Sequence, residues 1–207
     1  MKIAIIGSGN VGGALALKWV QAGHTVLIGA RFPLSEKNIK LATQIGEDRF
    51  TSIEFAVQQS DVILLATPAI AAVEVAKSLG NTEGKIIIDS MNIVMGRGPA
   101  SYTNTTQAIL DHTQTKDVVK CFNTTGFNNM LDTQYDDAKL DLFVAGDSEK
   151  GRHAAMQLAI DAGFENCYAV GGNDKFQLME QFAFFWINLA MFQGQGRDIG
   201  FKLLKRS

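Results

Sequence analysis

The chain alternates short, almost continuous apolar runs with segments of helical periodicity. The apolar runs predict strands at 2–6, 25–29, 50–52, 61–67, 85–89, 117–122, 141–146 and 167–170. The periodic segments predict helices at 10–22, 35–46, 53–59, 70–79, 105–112 and 149–162. From residue 174 the pattern predicts helix to the end of the chain, interrupted near Gly194 and Gly196.

Uninterrupted apolar strands are typical of a parallel sheet with helices on both faces, whereas half-exposed strands alternate polar and apolar residues. Strand–helix repeats with short connections favour the doubly wound arrangement. We therefore predict an α/β fold, with a Rossmann-type, doubly wound, mostly parallel sheet and a small helical C-terminal part. A soft boundary near Gly171 divides the chain into a nucleotide-binding domain, 1–171, and a helical extension, 172–207.

Composition narrows the class of protein. The 207 residues are 46% hydrophobic and 19% charged with a formal net charge of -2, which is typical of a globular protein. No block of lysine and arginine stands out, so a nucleic-acid partner is not expected. The apolar stretches 3–6 and 182–192 are too short for a signal peptide and a membrane span. Cys121 and Cys167 lie singly in apolar runs and predict reduced thiols in a cytoplasmic protein.

The first strand runs into a glycine-rich loop, GSGNVG at residues 7–12, and the first predicted helix follows at once. A GxGxxG pattern is specific in this strand–loop–helix context. Gly7 permits a tight turn, Gly9 lets the backbone approach a pyrophosphate, and Gly12 lets the helix pack closely against the strand. The helix then presents free N–H groups to phosphates, so the loop predicts a dinucleotide cofactor.

The end of the second strand selects between NAD and NADP. In this fold an acid about 20 residues after the glycines binds the 2′-OH of NAD. Here the strand ends Gly29-Ala30-Arg31, without an acid. A guanidinium pairs with a 2′-phosphate and stacks on adenine, whereas a carboxylate would repel the phosphate. Arg31, with Lys37 close by in the sequence, therefore predicts NADP.

Candidate ligand residues lie at the ends of three later strands, at what we predict to be one edge of the sheet. They are Ala66, Thr67 and Pro68 at the end of the fourth strand, Asn92 after the fifth, and Asn123 and Thr124 after the sixth. Ligands of doubly wound folds bind at the carboxyl ends of the strands. Amide and hydroxyl groups hold a carboxamide or a ring edge by hydrogen bonds, so this edge predicts the nicotinamide site.

The sequence assigns no catalytic side chain and no metal site. His24, His112 and His153 are scattered and form no metal-binding cluster. Reduction of a carbonyl or an imine needs a positioned proton donor, for which Tyr102 and Tyr135 are weak candidates. Hydride transfer between two stacked rings needs geometry and the exclusion of water, which favours a flavin-like partner.

Three stretches carry a family resemblance. IAIIGSGNVGGALALKWVQAGHTVLIGAR at 3–31, VVKCFNT at 118–124 and LAMFQGQGRDIGFKLL at 189–204 cover both ends and the middle of the chain. The first is similar to the coenzyme F-420-dependent NADP oxidoreductases (deazaflavin:NADP reductases) and to the cytoplasmic oxidoreductase domain of the six-transmembrane metalloreductases. The second resembles the metalloreductase group, and the third resembles the carboxyl-terminal helix of the deazaflavin enzymes.

The resemblance implies an NADP-dependent oxidoreductase that forms a homodimer through its helical C-terminal part. A second ring, FMN, FAD or coenzyme F-420, would lie over the nicotinamide as a small-molecule redox partner. The residues implied to hold the pyrophosphate and adenosine are Ser8, Asn10, Val11, Arg31 and Lys37. Those implied to surround the nicotinamide are Thr67, Pro68, Asn123 and Thr124.

Two other functions are compatible with the sequence, and the aromatic residues in 182–192 are compatible with three roles. One alternative is an NADP-dependent reductase of a small imine or carbonyl substrate, like a pyrroline-carboxylate reductase. The other is a non-catalytic redox sensor that binds NADP. The apolar face over 182–192 predicts a core helix, a subunit interface or a wall of the second-ring pocket.

Overall fold

A computed structural model describes residues 1–33 and 35–206. The strands are β1 (Lys2–Ile6), β2 (Thr25–Gly29), β3 (Phe50–Thr51), β4 (Val62–Leu65), β5 (Ile86–Asp89), β6 (Val118–Cys121), β7 (Gln134–Tyr135), β8 (Ala138–Lys139), β9 (Asp141–Ala145) and β10 (Asn166–Gly171). The helices are α1 (Asn10–Gln21), α2 (Glu36–Ile45), α3 (Ile53–Gln58), α4 (Ala72–Ser78), α5 (Thr105–Asp111), α6 (Phe127–Leu131), α7 (Glu149–Asp161) and α8 (Phe176–Ile187). Each element predicted from the sequence up to residue 171 is present, within a few residues of its predicted bounds.

Eight strands form one sheet in the order β10-β9-β6-β5-β4-β1-β2-β3. β1 pairs in parallel with both β2 and β4, so Ile3 lies between Val26 and Val62. The chain order therefore reverses between β1 and β4, which is the switch point where doubly wound folds bind their ligands. β6 and β9 pair antiparallel, and the other pairings in this sheet are parallel. The predicted fold class, a doubly wound and mostly parallel sheet, is confirmed.

Side chains from the sheet fill a core on each of its faces. In β1, Ile3 and Ile5 belong to the cluster that α1 and α7 cover, while Ala4 and Ile6 belong to the cluster beneath α3 and α4. All four side chains are buried. This alternation explains why the strand reads as a continuous apolar run, because both of its faces pack against helices.

The carboxyl-terminal region departs from the predicted helix. Helix α8 continues through one π-helical turn, Asn188–Phe192, and residues 193–206 contain no helix. Gly194 and Gly196 have φ values of +72° and +77°, and this left-handed backbone ends the helix and redirects the chain. The chain then returns to the sheet, where the Asp141 N–H donates to the carbonyl of Phe201. The prediction of helix beyond Phe192 was therefore wrong.

Two short elements were not predicted from the sequence. They are α6 and the two-stranded hairpin of β7 and β8, which lie between β6 and β9. They are only a few residues long, so their periodicity is too brief to recognise in a sequence. Within residues 1–33 and 35–206, no helix combines the length and hydropathy needed to cross a bilayer.

Candidate functional site

The glycine loop has a left-handed turn at Gly7 and close packing at Gly12. Gly7 has a φ of +114°, and a Cβ added there would lie 2.4 Å from the carbonyl oxygen of Ala66. A Cβ on Gly12 would lie 1.9 Å from the carbonyl oxygen of Gly7, so α1 packs directly on the loop. A Cβ on Gly9, by contrast, would meet nothing within 4 Å. Gly7 and Gly12 are therefore required by packing, whereas Gly9 borders open space.

The amino terminus of α1 is electrostatically suited to an anion. Gly9 occupies the cap position, no side chain caps the helix, and its first turn contains no acidic residue. The first N–H groups of a helix lack intrahelical partners and carry the positive end of the helix dipole. Ser8, Asn10 and Val11 stand at this end of the helix, next to the space beside Gly9. The residues present therefore fit a pyrophosphate.

The buried side chain of Asn38, which was not predicted as a site residue, connects the two ends of the predicted cofactor site. The Ser8 hydroxyl donates to Asn38 Oδ1 at 2.5 Å, and Asn38 Nδ2 donates to the carbonyls of Phe32 and Pro33. The glycine loop is thereby joined to the turn that follows Arg31. Because the Ser8 hydroxyl proton is used in this bond, the hydroxyl cannot also donate to a ligand.

Arg31 lines an open depression of about 640 Å³ at the carboxyl end of β2. The other lining residues are Phe32, Pro33, Ser35, Phe50, Thr51 and Ser52, and none of them is acidic. The Arg31 guanidinium lies 3.7 Å from a carboxylate oxygen of Glu74, with about three-quarters of both side chains exposed. An ion pair this exposed is weak, so it leaves the guanidinium available to a ligand. Ala30 donates its N–H to the Thr51 carbonyl and fixes the start of the turn.

Lys37 was predicted to add positive charge near Arg31. Its backbone lies in α2, but its side chain is outside the described part of the structure. A role for Lys37 beside the 2′-phosphate stays a prediction.

The predicted nicotinamide residues lie around the switch point. Ala66 follows β4, and its N–H donates to the carbonyl of Ile6 in β1. The Thr67 hydroxyl donates to the sulfur of Met91 at 3.2 Å, which links the ends of β4 and β5. Pro68 lies directly before a turn of 3-10 helix, Ala69–Ala71.

Asn92 and Asn123 form a reciprocal pair at the same edge. Asn123 Nδ2 donates to Asn92 Oδ1 at 2.9 Å, and Asn92 Nδ2 donates to the Asn123 carbonyl at 2.8 Å. Asn123 Nδ2 also donates to the carbonyl of Met179 in α8. Asn123 Oδ1 is buried without a hydrogen-bond partner, and a buried orphan acceptor costs free energy. The adjacent Thr124 is also buried.

The backbone at Phe122 directs Asn123. Phe122 has a φ of +59°, a left-handed conformation that is uncommon for a residue with a bulky side chain. Its ring packs edge-to-face against Trp19, with 5.5 Å between ring centroids, and is almost completely buried. This packing holds the turn that carries the Asn123 amide toward Asn92 and α8.

A buried charged cluster beneath this edge was missed by the sequence reading. Lys120 is fully buried in β6, and its ammonium lies 2.9 Å from Asp89 Oδ2 and 3.0 Å from Glu180 Oε1. The lysine inside the apolar run VVKCF could have indicated this cluster, since a buried lysine needs acidic or polar partners. Nothing in the apolar pattern of residues 176–187 indicates that one partner of Lys120 comes from α8.

The two tyrosines considered as proton donors are engaged elsewhere. The Tyr102 hydroxyl donates to Asp111, and the Tyr135 hydroxyl donates to Asn129. Burial, followed by the bond to Asp111, raises the pKa of Tyr102. Burial, followed by the charge of Asp198, raises the pKa of Tyr135. Neither hydroxyl hydrogen-bonds to the residues around Asn123.

The described residues contain no group of three or more histidine, cysteine, aspartate and glutamate side chains arranged to hold a metal ion. Cys121 and Cys167 are free thiols with 4.0 Å between their sulfur atoms. Burial, reinforced by the neighbouring thiol, raises the pKa of Cys121 well above its usual value.

Comparison with known proteins supports the predicted family. Residues 2–93 match the family described as NADP oxidoreductase, coenzyme F420-dependent. The match spans β1 to β5, including the glycine loop and Arg31. The family resemblance predicted from the sequence is confirmed over this region, and the family is one of NADP-dependent oxidoreductases.

Solved structures share the fold over longer stretches. A protein of an Arthrobacter species, provisionally described as an F420-dependent NADP reductase, is 21% identical with a TM-score of 0.85, and the alignment covers 99% of this chain and 100% of that one. A hypothetical protein of Sinorhizobium meliloti is 23% identical with a TM-score of 0.71, over 83% of this chain and 85% of that one. A reductive aminase of Aspergillus terreus, solved with NADPH and ethyl levulinate, is 16% identical with a TM-score of 0.65, over 93% of this chain but only 62% of that one. At these identities the likenesses establish the fold.

Proposed function

Taking the matched family as the premise, we propose that this chain is an NADPH-dependent oxidoreductase that transfers hydride between NADP(H) and a flavin or deazaflavin ring. The observation that carries the cofactor assignment is Arg31, which lines a depression without acidic residues at the end of β2. NADPH supplies the hydride from its nicotinamide ring. The chain supplies binding, orientation and shelter from water.

Backbone groups and one side chain hold the phosphates in this proposal. The free N–H groups at the start of α1 bind the pyrophosphate, which occupies the open space beside Gly9. Arg31 pairs with the 2′-phosphate, and its exposed ion pair with Glu74 gives way to the stronger charged hydrogen bond. Asn38 keeps these two contacts at a fixed separation.

The Asn123 amide orients the nicotinamide. Asn123 Oδ1 is a buried acceptor without a partner, and a carboxamide NH₂ is a donor of matching chemistry. Asn123 Nδ2 is held by Asn92 and by the Met179 carbonyl, which fixes the direction in which Oδ1 points. Thr67 and Pro68 form the neighbouring wall of the site.

A stacked ring suits this edge better than a small carbonyl substrate. The ammonium of Lys120 is buried and donates to groups of Asp89, Met91, Thr105 and Glu180. It is therefore not available to protonate a substrate. Reduction of a flavin-like ring by NADPH would move two electrons and one proton as hydride, and solvent water would supply the second proton, so the chain itself would need no proton donor.

Turnover with defined acceptors tests the proposal. NADPH oxidation would be followed at 340 nm with FMN, FAD, a deazaflavin or a cyclic imine as the acceptor. We expect turnover with one of the three rings and none with the imine. Turnover only with the imine would instead establish the imine reductase alternative. Tight NADP binding without any turnover would establish a sensor.

We also propose that the chain forms a homodimer through its carboxyl-terminal helix. Phe184, Phe185, Met191 and Phe192 of α8 and its π-helical turn are each about half exposed. Trp186 of the same helix is buried and donates to the Ile199 carbonyl, so it belongs to the core. Sedimentation velocity tests this proposal. The wild type should sediment as a dimer and Phe185→Arg as a monomer, and a monomeric wild type would refute the proposal.

A cytoplasmic location completes the proposal. Cys121 and Cys167 are both free thiols although their sulfur atoms are 4.0 Å apart. Free thiols at this separation suit a reducing compartment.

A further inference from the structure

Helix α8 reaches the nicotinamide edge through one carboxylate. Glu180 Oε2 accepts the N–H of Ile93 at 2.8 Å, and Oε1 accepts the N–H of Thr105 at 2.9 Å. Ile93 lies near the start of the long loop after β5, and Thr105 is the first residue of α5, where this loop ends. A single carboxylate from α8 therefore closes the base of the whole loop.

The closure is held by the buried cluster described above. Lys120 donates to Glu180 Oε1 and to Asp89 Oδ2, and the Thr105 hydroxyl donates to the same Asp89 oxygen at 2.5 Å. Asp89 Oδ1 accepts the N–H of Met91, and Lys120 also donates to the Met91 carbonyl. Both carboxylates are thus supplied with donors from the backbone and side chains, which is what their burial requires.

The same turn of α8 fixes the proposed nicotinamide ligand. Met179 precedes Glu180, and its carbonyl accepts from Asn123 Nδ2 at 3.1 Å. Met91, whose backbone the cluster holds, accepts from the Thr67 hydroxyl through its sulfur. Both Asn123 and Thr67 therefore depend on groups that α8 and the cluster hold in place.

We propose that Glu180 is a positioning residue for hydride transfer. It holds the loop 93–105 and the Asn123 amide in the positions they need to contact the nicotinamide. This inference rests on the proposed function. Glu180 does not touch the cofactor in this scheme, and it acts through Ile93, Thr105 and its neighbour Met179. Among the described residues, those around Arg31 in the adenosine half of the site form no hydrogen bond to these groups.

The test compares Glu180→Gln and Glu180→Asp with the wild type. Glutamine keeps the shape but replaces one acceptor oxygen with a donor, so one N–H of the loop base loses its partner. Aspartate keeps the charge facing Lys120 but is too short to reach both N–H groups. The control is Glu149→Gln, because Glu149 is an exposed glutamate at the start of α7.

Three measurements separate positioning from general damage. In both Glu180 variants, hydrogen exchange in a peptide covering 93–105 should accelerate. The rate of hydride transfer should fall by about a hundredfold, which is the size of effect expected from misplacing reacting groups by an ångström. The affinity for 2′,5′-ADP, which occupies only the adenosine half, should stay at the wild-type value, and the control should match the wild type throughout.

The outcomes distinguish this inference from the proposed function. A wild-type protein that transfers no hydride to any ring would refute the proposed function itself. An active wild type with a Glu180 variant that exchanges faster but transfers hydride at the normal rate would overturn the positioning role alone. If Glu180→Gln does not fold, Glu180→Asp decides: normal exchange and a normal rate would overturn the inference.

Discussion

Ser8 and Asn38, thirty residues apart in the chain, share a hydrogen bond of 2.5 Å between their side chains. Asn38 also binds the carbonyls of Phe32 and Pro33, so one buried amide joins the glycine loop to the turn after Arg31. The proposed contacts to the pyrophosphate and to the 2′-phosphate therefore share a support that touches neither group.

We expect Asn38→Leu to reduce the preference for NADPH over NADH. Leucine fills a similar volume but leaves two carbonyls and the Ser8 hydroxyl without their partner. The free energy of unfolding should fall by about 1–3 kcal/mol. Dissociation constants for both cofactors, measured by calorimetry, check the first effect, and chemical denaturation checks the second. Gln44→Leu, an exposed position on the same helix, is the control. An unchanged preference in a destabilised variant would limit Asn38 to a structural role.

Arg31→Ala should weaken NADPH binding by roughly 1–3 kcal/mol because a charged hydrogen bond to the 2′-phosphate is lost. The affinity for NADH should change little. Calorimetric titration with both dinucleotides measures the difference. Glu74→Gln removes the exposed partner of Arg31 and should leave NADPH affinity at or slightly above the wild-type value. Equal losses for the two cofactors in Arg31→Ala would contradict a phosphate contact.

The glycines of the loop offer a matched pair of substitutions. Gly9→Val should lower the melting temperature much less than Gly12→Ala, since a Cβ at Gly9 meets no atom within 4 Å and φ is -70°. It should abolish NADP binding by filling the space for the pyrophosphate. Gly12→Ala should lower the free energy of unfolding by about 1–3 kcal/mol or more, since its Cβ would overlap the Gly7 carbonyl. Thermal melts and cofactor titration distinguish the two, and retained NADP affinity in Gly9→Val would show that the phosphates bind elsewhere.

The two cysteines should differ in reactivity. Burial and the neighbouring thiol raise the pKa of Cys121, so it holds its proton at pH 8 and lacks the reactive thiolate. Cys167 is partly exposed. Iodoacetamide at pH 8 should therefore modify Cys167 first and reach Cys121 only after unfolding, as peptide mass spectrometry would show. Rapid modification of Cys121 in the folded protein would mean that its strand opens readily.

Local features were readable from the chain alone. Each predicted strand lies in the sheet, because a continuous apolar run indicates a strand that is covered on both faces. The motif GSGNVG at 7–12 indicates a backbone conformation that larger side chains would obstruct. The arginine at position 31, where an acidic residue would select NAD, is also visible in the sequence alone. These features depend on residues that are neighbours in the sequence, so they can be recognised without knowledge of the fold.

The supports of the site were decided by tertiary structure. Glu180 binds Thr105 and Ile93 across 75 and 87 residues, and its helical segment showed only an apolar pattern. The tail after Phe192 was predicted as interrupted helix, yet it turns back at two glycines and the Phe201 carbonyl accepts the N–H of Asp141. Hydrogen bonds between distant residues exist only once sheet order and helix packing bring donors and acceptors together, because their formation requires contact that sequence spacing does not encode.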